Sequence, residues 1–263
     1  MSAQINGSFQ RLALLTGEAA LAALGGSRAI VVGLGGVGGW CAEALVRSGL
    51  GALTIVDSDT VCVTNINRQV QAARNTIGLY KADVLRSRLL EINPDCRITA
   101  VNKAFDAENA ASFRLESYDY VIDAIDSLSC KIALIEAGAA LGRPLFSSMG
   151  MAQKLDPARI KTADIWKTHG CPLARLVRRE LRKRAFEGHF TAVYSDERLP
   201  LRKEVHAACG NALCLCPRGK PDGAREWCSS KKVINGSAMP VTASAGMILA
   251  SLVIQDCVKQ QGQ

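Results

Sequence analysis

A chain of 263 residues, 48% hydrophobic and 21% charged, has the composition of a soluble globular protein and is long enough for one substantial core, or a core with a subdomain. Its 32 Lys and Arg against 24 Asp and Glu leave a net charge of +8, an excess that favours a polyanionic partner. Ten cysteines spread from Cys41 to Cys257 through an apolar sequence argue against a small disulfide scaffold and for reduced thiols.

Residues 1–10 show neither a basic n-region nor an apolar h-region, so a cytoplasmic protein is expected. Residues 29–32 form a wholly apolar run of the kind buried in a parallel sheet. Residues 37–48 read as the helix that follows, ended by Gly49, and residues 53–56 as a second strand. Leu79, Ala82, Leu85 and Leu89 recur at helical spacing over 78–91, and Asn93-Pro94 stops that helix. Strands are expected at 97–101 and 118–122, a helix at 131–141 and a further strand beginning at 145–146. This alternation predicts an α/β fold with a doubly wound, mostly parallel, Rossmann-like sheet.

After Met149 the rhythm is lost. One or two short strands fit 154–165, a helix fits 172–186 and a strand fits 192–194. Residues 199–237 are rich in Pro, Gly, Lys, Arg and Cys and read as loop. Residues 240–254 are apolar but shorter than a bilayer requires, and they include Thr242, Ser244 and Ser251. A buried or dimer-face helix is expected there, not a membrane span.

The chemistry concentrates at the ends of the early strands. Gly33, Gly35 and Gly38 fit G-x-G-x-x-G between a strand and a helix, and Gly36 lies inside the loop. Such a loop brings backbone N–H groups and a helix dipole to a phosphate chain. Asp57 follows at about the 20-residue spacing at which an acid takes ribose hydroxyls. A nicotinamide enzyme needs little more. This sequence adds Asp59, then Asn65, Arg68 and Gln69, then Lys81, and then Asp123, Asp126 and Ser127 after the 118–122 strand. A triphosphate with magnesium calls for such groups, because cations offset the phosphates and a carboxylate holds the metal. At the carboxyl ends of successive strands they converge where open α/β sheets bind ligands.

The run from Gly33 to Gln69, the segment from Gly78 to Lys81 and Val121-Ile122-Asp123-Ala124-Ile125-Asp126-Ser127 resemble the E1-like family. That family contains ubiquitin-type activating enzymes and bacterial sulfur-carrier adenylyltransferases. Within it the likeness is greatest to the tRNA threonylcarbamoyladenosine dehydratases, close over residues 10–165 and looser beyond. The resemblance implies one E1-like domain over 1–263, with a nucleotide-binding half at 10–150 and a substrate- or dimer-facing half at 151–263. It implies ATP-dependent, adenylating cyclisation of N6-threonylcarbamoyladenosine at tRNA position 37. The threonyl carboxylate becomes an acyl-adenylate, the carbamoyl nitrogen closes the ring and AMP leaves. By the same likeness Gly36 cradles phosphate, Asp57 holds the ribose, and Asn65, Arg68 and Lys81 take the triphosphate. Asp126 holds magnesium, with room for a monovalent cation, and the chain forms a homodimer. An arginine that the family sends to its partner's ATP is replaced here by Ser8, with Arg11 nearby.

The 172–186 helix carries Arg175, Arg178, Arg179, Arg182, Lys183 and Arg184 around an apolar stripe. This is either a solvated face or, with Arg202, Lys203, Lys231 and Lys232, a surface that follows tRNA phosphates. Cys209, Cys214, Cys216 and Cys228 are spaced C-x4-C-x-C with a later fourth. The two C-x-x-C pairs of the sulfur-carrier enzymes are missing, so zinc is not expected. Cys171 or Cys228 could act in sulfur relay or as a thioester nucleophile, which makes a cysteine desulfurase or sulfur acceptor a further candidate partner. His169 and His206 read as structural or surface residues. Three other readings compete: an adenylyltransferase acting on the C-terminal glycine of a ubiquitin-like sulfur carrier, a scaffold with a nucleotide-shaped fold, and a dinucleotide oxidoreductase.

Overall fold

The computed structural model describes residues 7–198 and 235–261. Seven strands form one sheet, in the order β3-β2-β1-β4-β5-β7-β6. They are β1 (Arg28–Val32), β2 (Ala52–Val56), β3 (Arg97–Val101), β4 (Tyr120–Asp123), β5 (Leu145–Ser148), β6 (Ile160–Asp164) and β7 (Thr191–Ser195). All neighbours pair in parallel except β6 and β7, which are antiparallel. The chain runs outward from β1 to β3 and then returns to place β4 on the other side of β1. That reversal opens a crevice at the carboxyl ends of β1 and β4.

Central strands buried on both faces have no polar alternation, and their side chains sort by parity. Ala29 and Val31 face one core with Leu53, Ile55 and Ile122. Ile30 and Val32 face the other with Val56 and Val121. Helices α3 (Gly38–Arg47), α4 (Lys81–Ile92) and α7 (Met239–Gln261) cover the first face, with Leu45, Leu85, Leu89, Val241 and Leu249 inside. Helices α5 (Leu128–Ala139) and α6 (Pro172–Lys183) cover the second through Ile132, Ile135, Val177 and Leu181. Truncating one of these leucines to alanine typically costs about 2–5 kcal/mol. Two N-terminal helices, α1 (Gln10–Thr16) and α2 (Glu18–Gly26), complete the α-helices among the described residues.

Several boundaries differ from expectation for local reasons. The helix expected from Gly78 starts at Lys81, because Gly78 sits at φ +88 in the preceding turn. The helix expected at 131–141 starts earlier, at Leu128, and ends at Ala139. The second half continues the first half's sheet: β7 pairs with β5, and β6 caps the edge.

Helix α7 has the length and the mean hydropathy, 1.6, to cross a bilayer. Here its Val241, Ala245, Gly246, Leu249 and Val253 are buried in the fold. Gly246 sets the closeness of that packing. A Cβ at this position would lie 2.4 Å from the Val37 carbonyl oxygen and 2.9 Å from the Cys41 nitrogen. In an open helix Gly→Ala gains about 1 kcal/mol. Gly246→Ala should instead lose about 1–3 kcal/mol, because backbone has to move. Urea unfolding gives the sign, and a stabilised variant would refute this packing.

Candidate active site

The loops after three strands, β1, β2 and β4, build the crevice. After β1 the chain turns at Gly33, whose φ is +92. A Cβ on Gly33 would meet the Ala124 carbonyl oxygen at 2.6 Å, and one on Gly38 would meet the Gly33 oxygen at 1.8 Å. These two glycines are therefore demanded by the packing of the loop itself. At Gly35 a Cβ would meet nothing within 4 Å, so this glycine faces open space. Gly36 lies against Arg68 Cγ and Thr242 Oγ1, 3.1 and 2.9 Å from its Cβ position.

Asp57 follows β2 and clamps the glycine loop. Its Oδ2 accepts the Leu34 N–H at 2.7 Å and its Oδ1 accepts the Asp59 N–H at 2.8 Å. Gln71 holds the other side of the same residue, donating Nε2–H to the Leu34 carbonyl at 2.6 Å. Nothing in the sequence singled out Gln71: it stands beyond the recognised run and belongs to no hydrophobic period. Lys81, at the start of α4, is 5% exposed. Its Nζ lies 2.7 Å from Asp59 Oδ2 and 3.9 Å from Asp57 Oδ2. Burial pulls the Lys81 ammonium down, but Asp57 and Asp59 outweigh it and hold the group above its ordinary value. Burial also pushes the Asp57 carboxyl up, against the opposing charge of Lys81.

Arg68 lies over the glycine loop, anchored through Nη1 to the Thr64 carbonyl at 2.9 Å and Asn67 Oδ1 at 3.0 Å. Its own carbonyl accepts Trp40 Nε1–H from α3 at 2.9 Å. Burial lowers its guanidinium from the usual value, while the charge of Asp126 works in the opposite direction. Asp126 is exposed and acts electrostatically on both Arg68 and Lys81. The polar run after β2, the start of α4 and the loop after β4 thus share one field.

Other expected residues take different places. Asn65 Oδ1 accepts the Cys62 N–H at 3.0 Å and so shapes its own turn. Gln69 is buried beside Gln71. Asp123 was expected at the ligand, but it is 0% exposed. It pairs with Lys131 Nζ at 2.6 Å and accepts Ser147 Oγ–H at 2.5 Å. Ser127 precedes α5, with its Oγ 3.3 Å from Ser129 Oγ. Among the described residues no cluster of three or more His, Cys, Asp or Glu has metal-binding geometry.

On α6, Arg175, Arg179, Arg182 and Lys183 are exposed. Arg179 and Lys183 share Glu180 at 3.4 and 3.0 Å. Arg182 stacks over the Trp166 ring at 5.4 Å, and Arg178 turns inward to Thr168 Oγ1. Cys171 is buried. His169 meets Asp196 at 3.6 Å and Tyr194 Oη at 3.2 Å, an acidic partner that the sequence did not reveal. Arg202, Lys203, His206, Cys209, Cys214, Cys216, Cys228, Lys231 and Lys232 lie outside the described residues.

Comparison with known proteins gives a consistent result. Residues 9–261 match the ThiF family. The tRNA threonylcarbamoyladenosine dehydratase of Bacillus subtilis (strain 168) is 38% identical over 253 residues, 95% of this chain and 94% of that protein. The crystal structure of the Escherichia coli tRNA N6-threonylcarbamoyladenosine dehydratase in complex with AMP superposes with a TM-score of 0.82 at 34% identity, covering 99% of both chains. The same enzyme in complex with ATP gives 0.81, again at 34% identity and 99% coverage of both.

Proposed function

The chain belongs to the ThiF family, and from that premise we propose that it is an ATP-dependent tRNA threonylcarbamoyladenosine dehydratase. The geometry that supports this reading is the glycine loop clamped by Asp57, with Arg68 packed on Gly36 and the buried Lys81 beside Asp57 and Asp59. The likeness to the dehydratases runs over nearly the whole chain, which supports the tRNA substrate over a sulfur-carrier protein.

Activation proceeds by attack of a threonyl carboxylate oxygen on the α-phosphorus of ATP. The bond to the β-phosphate bridging oxygen breaks and pyrophosphate leaves. The carbamoyl nitrogen then attacks the acyl carbon, AMP departs with the former carboxylate oxygen, and a proton is released. Asp57 takes the ribose, the Gly35–Gly36 edge approaches phosphate, and Arg68 and Lys81 offset the charge that grows on pyrophosphate. Asn65 shapes the turn that carries Arg68. Asp126 suits a magnesium ion, an oxygen-seeking cation that takes most of its ligands from triphosphate and water. Bound magnesium would polarise the phosphates. Ring closure is intramolecular, so no cysteine nucleophile is required.

Pyrophosphate exchange into ATP tests the reading. It should rise with N6-threonylcarbamoyladenosine-bearing tRNA and stay at background with a sulfur-carrier protein ending in glycine. The reverse pattern would make the carrier adenylyltransferase correct.

A homodimer in the cytoplasm belongs to the same proposal. Leu14 and Leu15 are 84% and 82% exposed on α1, the helix that also carries Arg11, and such a face suits a second copy. The exposed arginines of α6 are proposed to follow the anticodon-stem phosphates. Replacing Arg175 and Arg179 together by glutamine should weaken tRNA binding and flatten its salt dependence by about two phosphate contacts in filter-binding assays. An unchanged salt slope would make α6 an ordinary solvated face.

A further inference from the structure

Beneath the crevice lies an ion pair that the reaction itself does not touch. Asp123 and Lys131 are both 0% exposed, and Lys131 Nζ sits 2.6 Å from Asp123 Oδ2. The same ammonium donates to the Ser148 carbonyl at 2.9 Å and lies 3.4 Å from Ser147 Oγ. Ser147 Oγ–H in turn reaches Asp123 Oδ2 at 2.5 Å. The pair therefore ties the end of β4 to the end of β5. The other oxygen of Asp123 is turned to the loop: Oδ1 accepts the Ile125 N–H at 3.0 Å. Ala124 N–H continues the pairing with β1 through the Val32 carbonyl at 2.9 Å. The Ala124 carbonyl presses so closely under Gly33 that a methyl group there would not fit.

Asp126 follows Ile125 directly. We propose that the buried Asp123–Lys131 pair is a positioning device that fixes the loop at 124–126 and aims Asp126 into the crevice. A buried ion pair is a poor way to gain stability alone, since well-packed apolar residues of similar volume often do as well or better. Its use here is directional. Lys131 and Ser147 fix the rotamer of Asp123, and Asp123 fixes the Ala124–Ile125 peptide, one residue ahead of Asp126. The inference rests on the proposed role of Asp126 toward the triphosphate and its metal.

Single replacements would strand a buried charge, so the test uses two double variants. Asp123→Leu with Lys131→Met removes both charges and the acceptor for Ile125. Asp123→Asn with Lys131→Met removes both charges but keeps an oxygen at Oδ1. Calorimetry would measure ATP binding with and without magnesium, and AMP binding as the control that needs neither metal nor β and γ phosphates. The leucine–methionine variant should bind ATP in magnesium about tenfold more weakly, with AMP affinity unchanged. The asparagine–methionine variant should rescue most of that loss. Equal losses for ATP and AMP, or no rescue by asparagine, would mean a merely structural pair and overturn the inference. An unchanged leucine–methionine variant beside a magnesium-dependent wild type would overturn it alone. A wild type whose ATP binding ignores magnesium would also sink the reading of Asp126.

Discussion

Asp126→Ala is expected to lower tRNA-dependent pyrophosphate exchange by at least about 10²–10³-fold, the scale of losing one preorganised electrostatic contact to a transition state. The fold should survive. Asp126 is exposed, and surface replacements usually shift stability by no more than about 0.5 kcal/mol. AMP should still bind, because the glycine loop and its Asp57–Leu34 clamp are untouched. Exchange, thermal unfolding and AMP titration on one preparation separate these effects. A variant with full exchange would remove Asp126 from the chemistry.

Lys81→Met should injure both rate and stability. Lys81 stands beside two carboxylates, and removing the partner of a buried charge costs about 3–5 kcal/mol. The side chain of Asp59 is 39% exposed, so solvent screening brings the expected loss below that range, to about 2–3 kcal/mol. The pH dependence has a definite sign. Burial already holds the Asp57 carboxyl above its ordinary value, and Lys81 is the main charge opposing that rise. Without Lys81 the carboxyl titrates higher still. A group with a raised folded pKa favours folding below its unfolded value and loses that contribution as pH rises. The stability gap between variant and wild type should therefore be widest near neutral pH and shrink on acidification. The acidic limb of kcat/KM should move to higher pH for the same reason. Urea titrations across pH measure the first, and a gap that widens in acid would show that Asp57 is not held by Lys81.

Much of this site was legible in the residues. The apolar run at 29–32, the glycines after it and the acids closing 53–56 follow directly from strand and loop chemistry, and they stand where expected. Asp123 was legible as an important acid but not in its placement. Only the return of β5 beside β4 brings Ser147 and Ser148 to Lys131 and seals the pair from solvent. Asn65 was read as a ligand contact, and in the structure its side-chain oxygen closes a turn, a role any short polar side chain can take. Gln71, Thr242 and Trp40 were missed because each meets the glycine loop or Arg68 through tertiary packing, with no local spacing to betray it. The second half was hardest. β7 lies between β5 and β6 although it follows both, and no periodicity encodes strand order.

The central claim is that the clustered charges serve carboxylate activation through AMP. Labelling the threonyl carboxylate of the modified tRNA with oxygen-18 tests it most directly. Mass spectrometry after a single turnover should find one labelled oxygen in AMP and an unlabelled pyrophosphate. Label in inorganic phosphate, with ADP as co-product, would contradict adenylation and the account built on it.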